Sequence, residues 1–281
     1  MKENKQPRVK ILVACHKADP NIRQDDIYMP IQVGKALHPE LDLGFQCDNT
    51  GDNISEKNGS YCELTALYWA WKNLKDIDYI GLCHYHRYFS IYEHKISQYL
   101  KNYDIIIPKP IILSKSIFEE LCLWTSLEEA HIFIDSIMKI FPEYKDDIIH
   151  YYFKSNKFTQ CNMFVTSKEQ YDNYCSFLFR ILEDVYTRIE ISPYSRQKRV
   201  IGYLGETLLG LWIRHNKRKL LKVNIISSNQ NRSFKEILND IRRDIAFSFS
   251  KSYNTPQYIP IYKPVMVGFE QDNISLPSII L

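Results

Sequence analysis

This sequence has no long hydrophobic run. No segment approaches the roughly 18 apolar residues that a membrane-spanning helix needs. The polar N-terminus, MKENKQPRVK, lacks the apolar core of a secretory signal peptide. The excess of basic over acidic residues is also small, with a formal net charge of +3, which gives no argument for nucleic-acid binding. We therefore expect a cytoplasmic protein without a nucleic-acid partner, which contacts a membrane at most peripherally.

The motifs of the best-known phosphate and metal sites are missing as well. The chain contains no G-x-G-x-x-G and no Walker A sequence, which disfavours dinucleotide-binding and P-loop enzymes. Its 7 cysteines include no C-x-x-C pair, which disfavours a zinc cluster and a redox motif. Several of them lie inside apolar runs, as buried free thiols do, and indicate a reducing compartment.

What the sequence does contain is an alternation of short apolar runs with amphipathic helical patterns. Strands are predicted at 9–15, 41–47, 78–85, 103–107, 158–166 and 221–226, and helices at 61–74, 126–140, 142–153, 167–188, 199–215 and 233–247. Such alternation predicts an α/β fold, with a mostly parallel sheet covered by helices on both faces. The residues from Ser248 onward are predicted to be irregular.

Ligands of such sheets bind beyond the carboxyl ends of the strands. This rule selects His16 and Lys17 after the first strand, His84 to Arg87 after the central strand, and the residues around Asn162. We expect these groups to lie at one edge of the sheet.

The segment 50–58 (TGDNISEKN) is dense in polar residues. Its backbone N–H groups and amide side chains suit a phosphate or a sugar. A solvated connector has the same composition. The composition alone leaves both interpretations open.

The helix predicted after this segment carries two Trp and two Tyr, a pattern that core packing also explains. Ser60 and Glu63 have the spacing of a capping box at its start. If the helix is buried, Glu63 instead needs a hydrogen-bonding partner.

His84 and His86 are two positions apart at the predicted end of a strand. In extended chain they project to the same side. They suit a metal ion or, together with Arg87, a diphosphate, although single histidines are commonly structural.

Two further features are charged. Glu206 lies near the start of a predicted helix, where an acid interacts with the helix dipole or acts as a general base. The basic run 214–219 (RHNKRK), with Arg242 and Arg243, is either an ordinary helix end or a contact for anionic lipid.

Six stretches of the sequence are informative when they are taken in order. They are 9–17 (VKILVACHK), 27–37 (IYMPIQVGKAL), 48–73 (DNTGDNISEKNGSYCELTALYWAWKN), 78–89 (DYIGLCHYHRYF), 161–175 (CNMFVTSKEQYDNYC) and 199–213 (RVIGYLGETLLGLWI). Together they resemble a bacterial family from capsule and lipopolysaccharide gene clusters, catalogued as domain of unknown function 4422. Its members are regarded as glycosyltransferases, some of them galactofuranosyltransferases.

This resemblance implies a GT-A-like fold, with a Rossmann-like nucleotide-binding half joined to an acceptor-binding half. We expect one domain over 1–231, with the nucleotide-sugar half at about 1–110 and the acceptor half at about 111–231. A helix and an irregular tail would follow at 232–281.

The resemblance also implies site residues. For the donor these are Ala14, His16, Lys17, Thr50, Gly51, Asp52, Asn53, Ser55, Asn58, Glu63, Tyr68, His84, Tyr85, His86 and Arg87, and for the acceptor Asn162, Tyr203 and Gly205. Glu206 would be the catalytic base. Lys17, His84 and Arg87 would face the leaving diphosphate.

The Asp-x-Asp metal motif of many GT-A enzymes is absent at the expected position, which reads His84-Tyr85-His86. The nearby Asp76-Ile77-Asp78 precedes the strand instead of following it. Imidazoles are poor ligands for Mn²⁺ and Mg²⁺, so no metal ligand is predicted and a requirement for either ion stays open. Because the family usually has Arg where His86 stands, a clamp of two arginines is also disfavoured.

The function expected from the resemblance is inverting transfer of a sugar from a nucleotide donor to a lipid-linked oligosaccharide. The pathway would be capsule, exopolysaccharide or O-antigen synthesis, and the donor a UDP-sugar such as UDP-galactofuranose. One alternative is a non-catalytic nucleotide- or carbohydrate-binding subunit of a polysaccharide assembly complex. Another is a metal-dependent hydrolase using His84 and His86, which the absence of an H-E-x-x-H motif disfavours.

Overall fold

A nine-stranded sheet runs through the computed structural model, which describes residues 6–227, 234–249 and 271. The strands of this sheet are β1 (Val9–Cys15), β2 (Tyr28–Gln32), β3 (Gln46–Cys47), β4 (Tyr79–His84), β5 (Arg87–Phe89), β6 (Ile105–Pro108), β9 (Phe164–Ser167), β10 (Leu220–Val223) and β11 (Ile225–Ser227). Two further strands, β7 (Ile111–Ile112) and β8 (Lys157–Phe158), pair with each other.

The order of the main sheet is β10-β6-β9-β4-β1-β2-β3, with β5 and β11 attached at β4. β1 runs parallel to β2 and β4, β2 to β3, and β6 to β10, whereas β9 is antiparallel to both β4 and β6. The prediction of a mostly parallel sheet is confirmed. Ala14 pairs with His84, so the carboxyl ends of β1 and β4 are neighbours.

Helices flank this sheet, as predicted. They are α1 (Asn58–Tyr61), α2 (Leu64–Asn73), α3 (Ile96–Tyr99), α4 (Ile117–Trp124), α5 (Leu127–Ile140), α6 (Lys145–Ile148), α7 (Lys168–Arg188), α8 (Val200–His215) and α9 (Phe234–Phe249). Among the described residues, no helix combines the length and the apolar character that a membrane span requires.

The core has two layers because β1 is buried on both faces. Leu12 and Ala14 belong to the larger cluster, formed with α2, α7 and α8, while Ile11 and Val13 belong to a second cluster on the other face. Strand residues that alternate between two buried faces produce the continuous apolar run seen in the sequence.

Local capping explains why some helix starts were predictable. Ser126 caps α5 in a capping box with Glu129, and the Ser167 side chain accepts a hydrogen bond from the backbone N–H of Gln170 at the start of α7. Each such cap stabilises a helix by about 1 kcal/mol. The predicted starts of α5, α7 and α8 are confirmed to within one residue.

The predicted capping box of Ser60 and Glu63 is wrong. Cys62 adopts a φ of 53° and separates α1 from α2, so the predicted helix at 61–74 is split. The N-cap residue of α2 is Glu63, which makes no side-chain cap. Its carboxylate instead accepts a hydrogen bond from Asn162, 99 positions along the chain.

Several predicted elements are shorter or interrupted. The strand at 41–47 is reduced to Gln46–Cys47, and the one at 221–226 is divided between β10 and β11. The predicted helix at 142–153, in contrast, is confirmed: the stretch is helical throughout and passes from a 3₁₀ turn, Pro142–Tyr144, through α6 to a π-helix, Ile149–Phe153. The sequence pattern indicates the helical stretch but not its change of helix type, because aromatic and β-branched residues form similar apolar patterns in each of these conformations.

The predicted strand at 158–166 is broken by its own backbone. Phe158 belongs to β8, and β9 begins only at Phe164. Between them, Cys161 and Asn162 have φ values of 70° and 49°, which no strand accommodates. The residues after Phe249 lie outside the described residues apart from Gln271, and the proposed domain boundaries stay a prediction.

Candidate active site

A cavity of about 550 Å³ opens at the carboxyl ends of β1 and β4. Its lining comes from the ends of both strands, from α1 and the start of α2, from the turn before β9 and from the first turns of α8. The lining residues are Ala14, His16, Val33, His38, Asn58, Gly59, Cys62, Glu63, His84, Tyr85, His86, Arg87, Cys161, Ser195, Lys198, Arg199, Gly202, Tyr203 and Glu206. The cavity therefore lies at the edge of the sheet that the strand-end rule selects.

Many of the residues expected at the site come together here. Ala14, His16, Asn58, Glu63, His84, Tyr85, His86, Arg87, Tyr203 and Glu206 all line the cavity. Their individual roles in binding or catalysis stay predictions.

The polar loop at 50–53 does not line the cavity. The Trp69 indole donates to the Thr50 hydroxyl at 2.9 Å, and the Asn73 amide donates to the Asp52 carbonyl at 2.7 Å. Tyr68 donates to the Asp52 carboxylate at 3.2 Å. Gly51, Asn53 and Tyr68 are likewise absent from the lining. The loop is thus fastened to α2, and its polar groups bond within the protein.

Ser55 is also part of the framework. Its hydroxyl donates at 2.5 Å to the fully buried Asp48, which also accepts hydrogen bonds from Thr65 at 2.6 Å and from the Gly34 N–H at 2.8 Å. A buried carboxylate needs several such donors. This network ties the loop after β2 to α2.

Three other predicted residues lie beside the cavity. The Lys17 ammonium lies 5.7 Å from the centre of the Tyr85 ring, outside the lining. Asn162 is fully buried. A Cβ atom on Gly205 would lie 2.6 Å from a methyl group of Leu64, so this glycine leaves room for the Leu64 side chain in the core.

Glu206 projects from α8 into the cavity, where its Oε1 accepts a short hydrogen bond from the backbone N–H of Cys161. Burial, reinforced by the nearby charge of Glu63, raises the pKa of Glu206 to about 7. The Cys161 N–H and the cations Arg87 and Arg199 oppose that rise. A carboxyl group with such a pKa exchanges a proton readily near neutral pH.

The second carboxylate, Glu63, enters from the N-terminal end of α2. Its Oε1 accepts a hydrogen bond of 2.8 Å from the Asn162 amide. The buried Asn162 is therefore the partner that Glu63 requires, and it holds this carboxylate beside Glu206.

The histidines are arranged around the turn between β4 and β5. The rings of His84 and His86 are 6.0 Å apart, and His16 lies edge-on to Tyr85 at 5.3 Å. Burial and neighbouring cations lower the pKa of His16 and lower that of His86 to about 4, so both rings are neutral at pH 7. In the part of the chain that the structure describes, no group of three or more His, Cys, Asp or Glu side chains has the arrangement of a metal site.

Sequence reasoning missed the basic residues at the start of α8. Lys198 and Arg199 line the cavity, and the Arg199 guanidinium donates to the Cys62 sulfur at 3.3 Å. Arg87, another lining residue, donates to the Cys161 sulfur, also at 3.3 Å. The sequence signal for Lys198 and Arg199 is that they lie about two helical turns before Glu206.

The chain matches, over residues 10–217, the family model described as Domain of unknown function (DUF4422). The chain belongs to this family. Every residue that lines the cavity falls within the range that matches the DUF4422 model.

This DUF4422 chain is similar to the solved apo structure of WbbM, a bifunctional glycosyltransferase, with a TM-score of 0.74 and 28% sequence identity. The similarity covers 80% of this chain and 46% of that chain, so the DUF4422 chain spans less than half the length of WbbM. No match was found among curated proteins.

Proposed function

We propose that this protein is a glycosyltransferase whose reaction takes place in the cavity at the ends of β1 and β4. The proposal depends on one observation. A carboxyl group with a pKa of about 7, Glu206, shares one cavity with the basic side chains of Arg87, Lys198 and Arg199. The similarity to a glycosyltransferase structure supports it.

The reaction would be an inverting displacement. An acceptor hydroxyl attacks the anomeric carbon of the donor sugar while Glu206 takes the hydroxyl proton. The new carbon–oxygen bond forms as the bond between the anomeric carbon and the phosphate oxygen breaks, and a nucleoside diphosphate leaves. Because its pKa lies near neutrality, Glu206 is ionised in a large fraction of molecules and still basic enough to accept the proton.

The departing diphosphate needs hydrogen-bond donors and positive charge. Arginine forms paired hydrogen bonds with phosphate oxygens, and Arg87 and Arg199 both line the cavity, one at the start of β5 and the other just before α8. Lys198 adds a third cation, and Lys17 lies nearby. We propose a UDP-sugar as donor, with UDP-galactofuranose the first to test.

The side chains present do not fit Mg²⁺ or Mn²⁺. These ions prefer several oxygen ligands, whereas the cavity offers imidazoles at the place of the missing Asp-x-Asp motif. Its two carboxylates, Glu63 and Glu206, already accept hydrogen bonds from Asn162 and Cys161. The proposed displacement therefore proceeds through the side chains of the cavity alone.

For the acceptor we propose a lipid-linked oligosaccharide of capsule, exopolysaccharide or O-antigen synthesis, met at the cytoplasmic face of the membrane. The supporting feature is α9, whose large apolar side chains follow helical spacing along one face and are exposed. They are Phe234, Ile237, Leu238, Ile241, Ile245 and Phe249. Sedimentation with lipid vesicles tests this contact, which should weaken when Phe234 and Phe249 are replaced by serine.

The test of the proposed function has two stages. Thermal-shift measurements with UDP, GDP, CMP, dTDP and their sugar conjugates, with Mn²⁺ or EDTA, identify the donor, since a ligand that binds only the native state raises the Tm. Transfer to a synthetic lipid-linked acceptor is then compared between wild type and Glu206→Gln. Donor binding without transfer, in a chain shown to be folded, would favour a binding subunit instead.

A further inference from the structure

The turn formed by Cys161 and Asn162 has an unusual backbone. Both residues are left-handed, with φ values of 70° and 49°, and neither is glycine. Asparagine tolerates this region better than most residues, whereas cysteine does not, and each such conformation costs about 1–3 kcal/mol. Conformations of this kind persist only where surrounding contacts hold them.

Those contacts all belong to the cavity. The Cys161 N–H donates to Glu206, and the Cys161 carbonyl lies 2.7 Å from Nε2 of His84. The Asn162 side chain holds Glu63. One turn therefore positions three of the groups that line the site.

The contact with His84 determines where this ring carries its proton. A carbonyl oxygen only accepts hydrogen bonds, so Nε2 of His84 must be the donor. In the neutral ring the other nitrogen, Nδ1, then has a free lone pair. Among the described residues nothing bonds to Nδ1, and the ring lines the cavity.

A neutral His84 in this state is suited to a hydroxyl group. Phosphate oxygens only accept, so Nδ1 of a neutral ring offers them nothing. A sugar hydroxyl donates, and it would find an acceptor there. A protonated ring would instead donate to the diphosphate, a role already proposed for Arg87, Lys198 and Arg199, which line the same cavity.

We propose that His84, held as the Nε2–H tautomer by the carbonyl of Cys161, binds a substrate hydroxyl through Nδ1. This inference rests on the proposed function, because it takes the ligand to be a sugar. It gives His84 a part in recognising the sugar instead of the leaving diphosphate.

Two substitutions distinguish the roles of the two ring nitrogens of His84. In His84→Gln the side-chain amide reaches the position of Nε2, so the bond to Cys161 is kept and the acceptor at Nδ1 is lost. In His84→Asn the amide occupies the position of Nδ1 and the bond to Cys161 is lost. We expect His84→Gln to lower kcat/KM about tenfold and His84→Asn to lower it less. The reverse order would mean that His84 serves only to support the turn.

Analogues lacking one hydroxyl provide a second measurement. In the wild type, removing the hydroxyl that His84 binds should lower kcat/KM by about as much as His84→Gln does. In His84→Gln the same analogue should carry almost no penalty, because the two changes remove one interaction. Equal penalties in both proteins for every hydroxyl would overturn the proposal.

The tautomer can be observed without any turnover. Nitrogen NMR of the full chain labelled at histidine, with His84 assigned through His84→Gln, should show that the neutral form of the ring carries its proton on Nε2. A neutral form protonated at Nδ1 overturns the inference even if the protein transfers sugars. An absence of transfer with a confirmed Nε2–H tautomer would instead refute the proposed function, and the hydroxyl contact with it.

Discussion

Two short segments of this protein differ in a way that composition does not reveal. The loop at 50–53 is polar throughout, yet its groups bond to α2 and none of its residues lines the cavity. The turn at Cys161 and Asn162 lies in an apolar stretch that predicts a strand, yet it holds Glu63, His84 and Glu206. What distinguishes them is where their hydrogen-bonding groups point, which depends on the neighbours that the fold supplies.

The largest expected effect is on the group that this turn holds. Glu206→Gln keeps an oxygen for the Cys161 N–H and removes the base, so kcat should fall by about 10²–10⁴-fold with little change in donor affinity. Steady-state transfer assays and donor titrations measure both quantities. Glu169→Gln, on an exposed turn of α7, is the control and should match the wild type. Full activity of Glu206→Gln would remove Glu206 from the mechanism.

The same substitution should change the pH dependence of stability. The pKa of Glu206 rises from 4.5 to about 7 on folding, so ionisation opposes the folded state and the wild type loses stability as pH rises through this range. Glu206→Gln avoids that loss. Its free energy of unfolding should equal that of the wild type near pH 4 and exceed it by up to about 3 kcal/mol at pH 8. Denaturant unfolding at several pH values measures the difference, and a constant difference would contradict the assignment.

A β-branched residue in the turn of Cys161 and Asn162 should destabilise the protein. Cys161→Val at a φ of 70° should lower the free energy of unfolding by about 2 kcal/mol and reduce transfer, because the strained backbone must shift. Urea unfolding and activity are measured together. Cys122→Val, on the regular helix α4, is the matched control and should cost less. Equal losses would mean that the left-handed turn is not specially constrained.

Charge on the cavity wall should matter more than charge near the polar loop. Arg199→Gln should lower kcat/KM by about tenfold and weaken binding of the nucleoside diphosphate, because it removes a charged donor. Isothermal titration with UDP follows the binding. Lys72→Gln, on α2 next to the loop-binding Asn73, should leave UDP affinity unchanged, and a larger loss of affinity there would place the diphosphate elsewhere.

The smallest effect on function is expected at the loop. Asn73→Ala removes the two hydrogen bonds between Asn73 and the backbone of Asp52 and should lower the free energy of unfolding by about 1 kcal/mol. The KM for the donor should stay within twofold of the wild type. A raised KM without a stability change would show that the loop contacts the donor, as its composition suggests.

Most of the secondary structure could be predicted, for local reasons. The 9–15 run matches β1, and α5, α7 and α8 begin within a residue of their predicted starts, since periodicity and serine caps are read from neighbouring positions. The failures at 61–74 and 158–166 occur where Cys62, Cys161 and Asn162 take positive φ values. Cysteine gives no sequence warning of such a conformation.

The sequence by itself determined the α/β class, the parallel sheet and the presence of His16 and His84 at the carboxyl edge of that sheet. The reason is that strands alternating with helices run parallel, and the carboxyl ends of parallel strands lie at the same edge. Only the tertiary structure decided that Glu63 lies beside Glu206, that Arg199 lines the cavity and that the turn of Cys161 and Asn162 bonds to both carboxylates. Glu63 and Asn162 are 99 positions apart, and Cys62 and Arg199 are 137 apart. No local pattern encodes contacts over such distances, since they arise from the packing of α8 against α1 and from the return of the chain along β9.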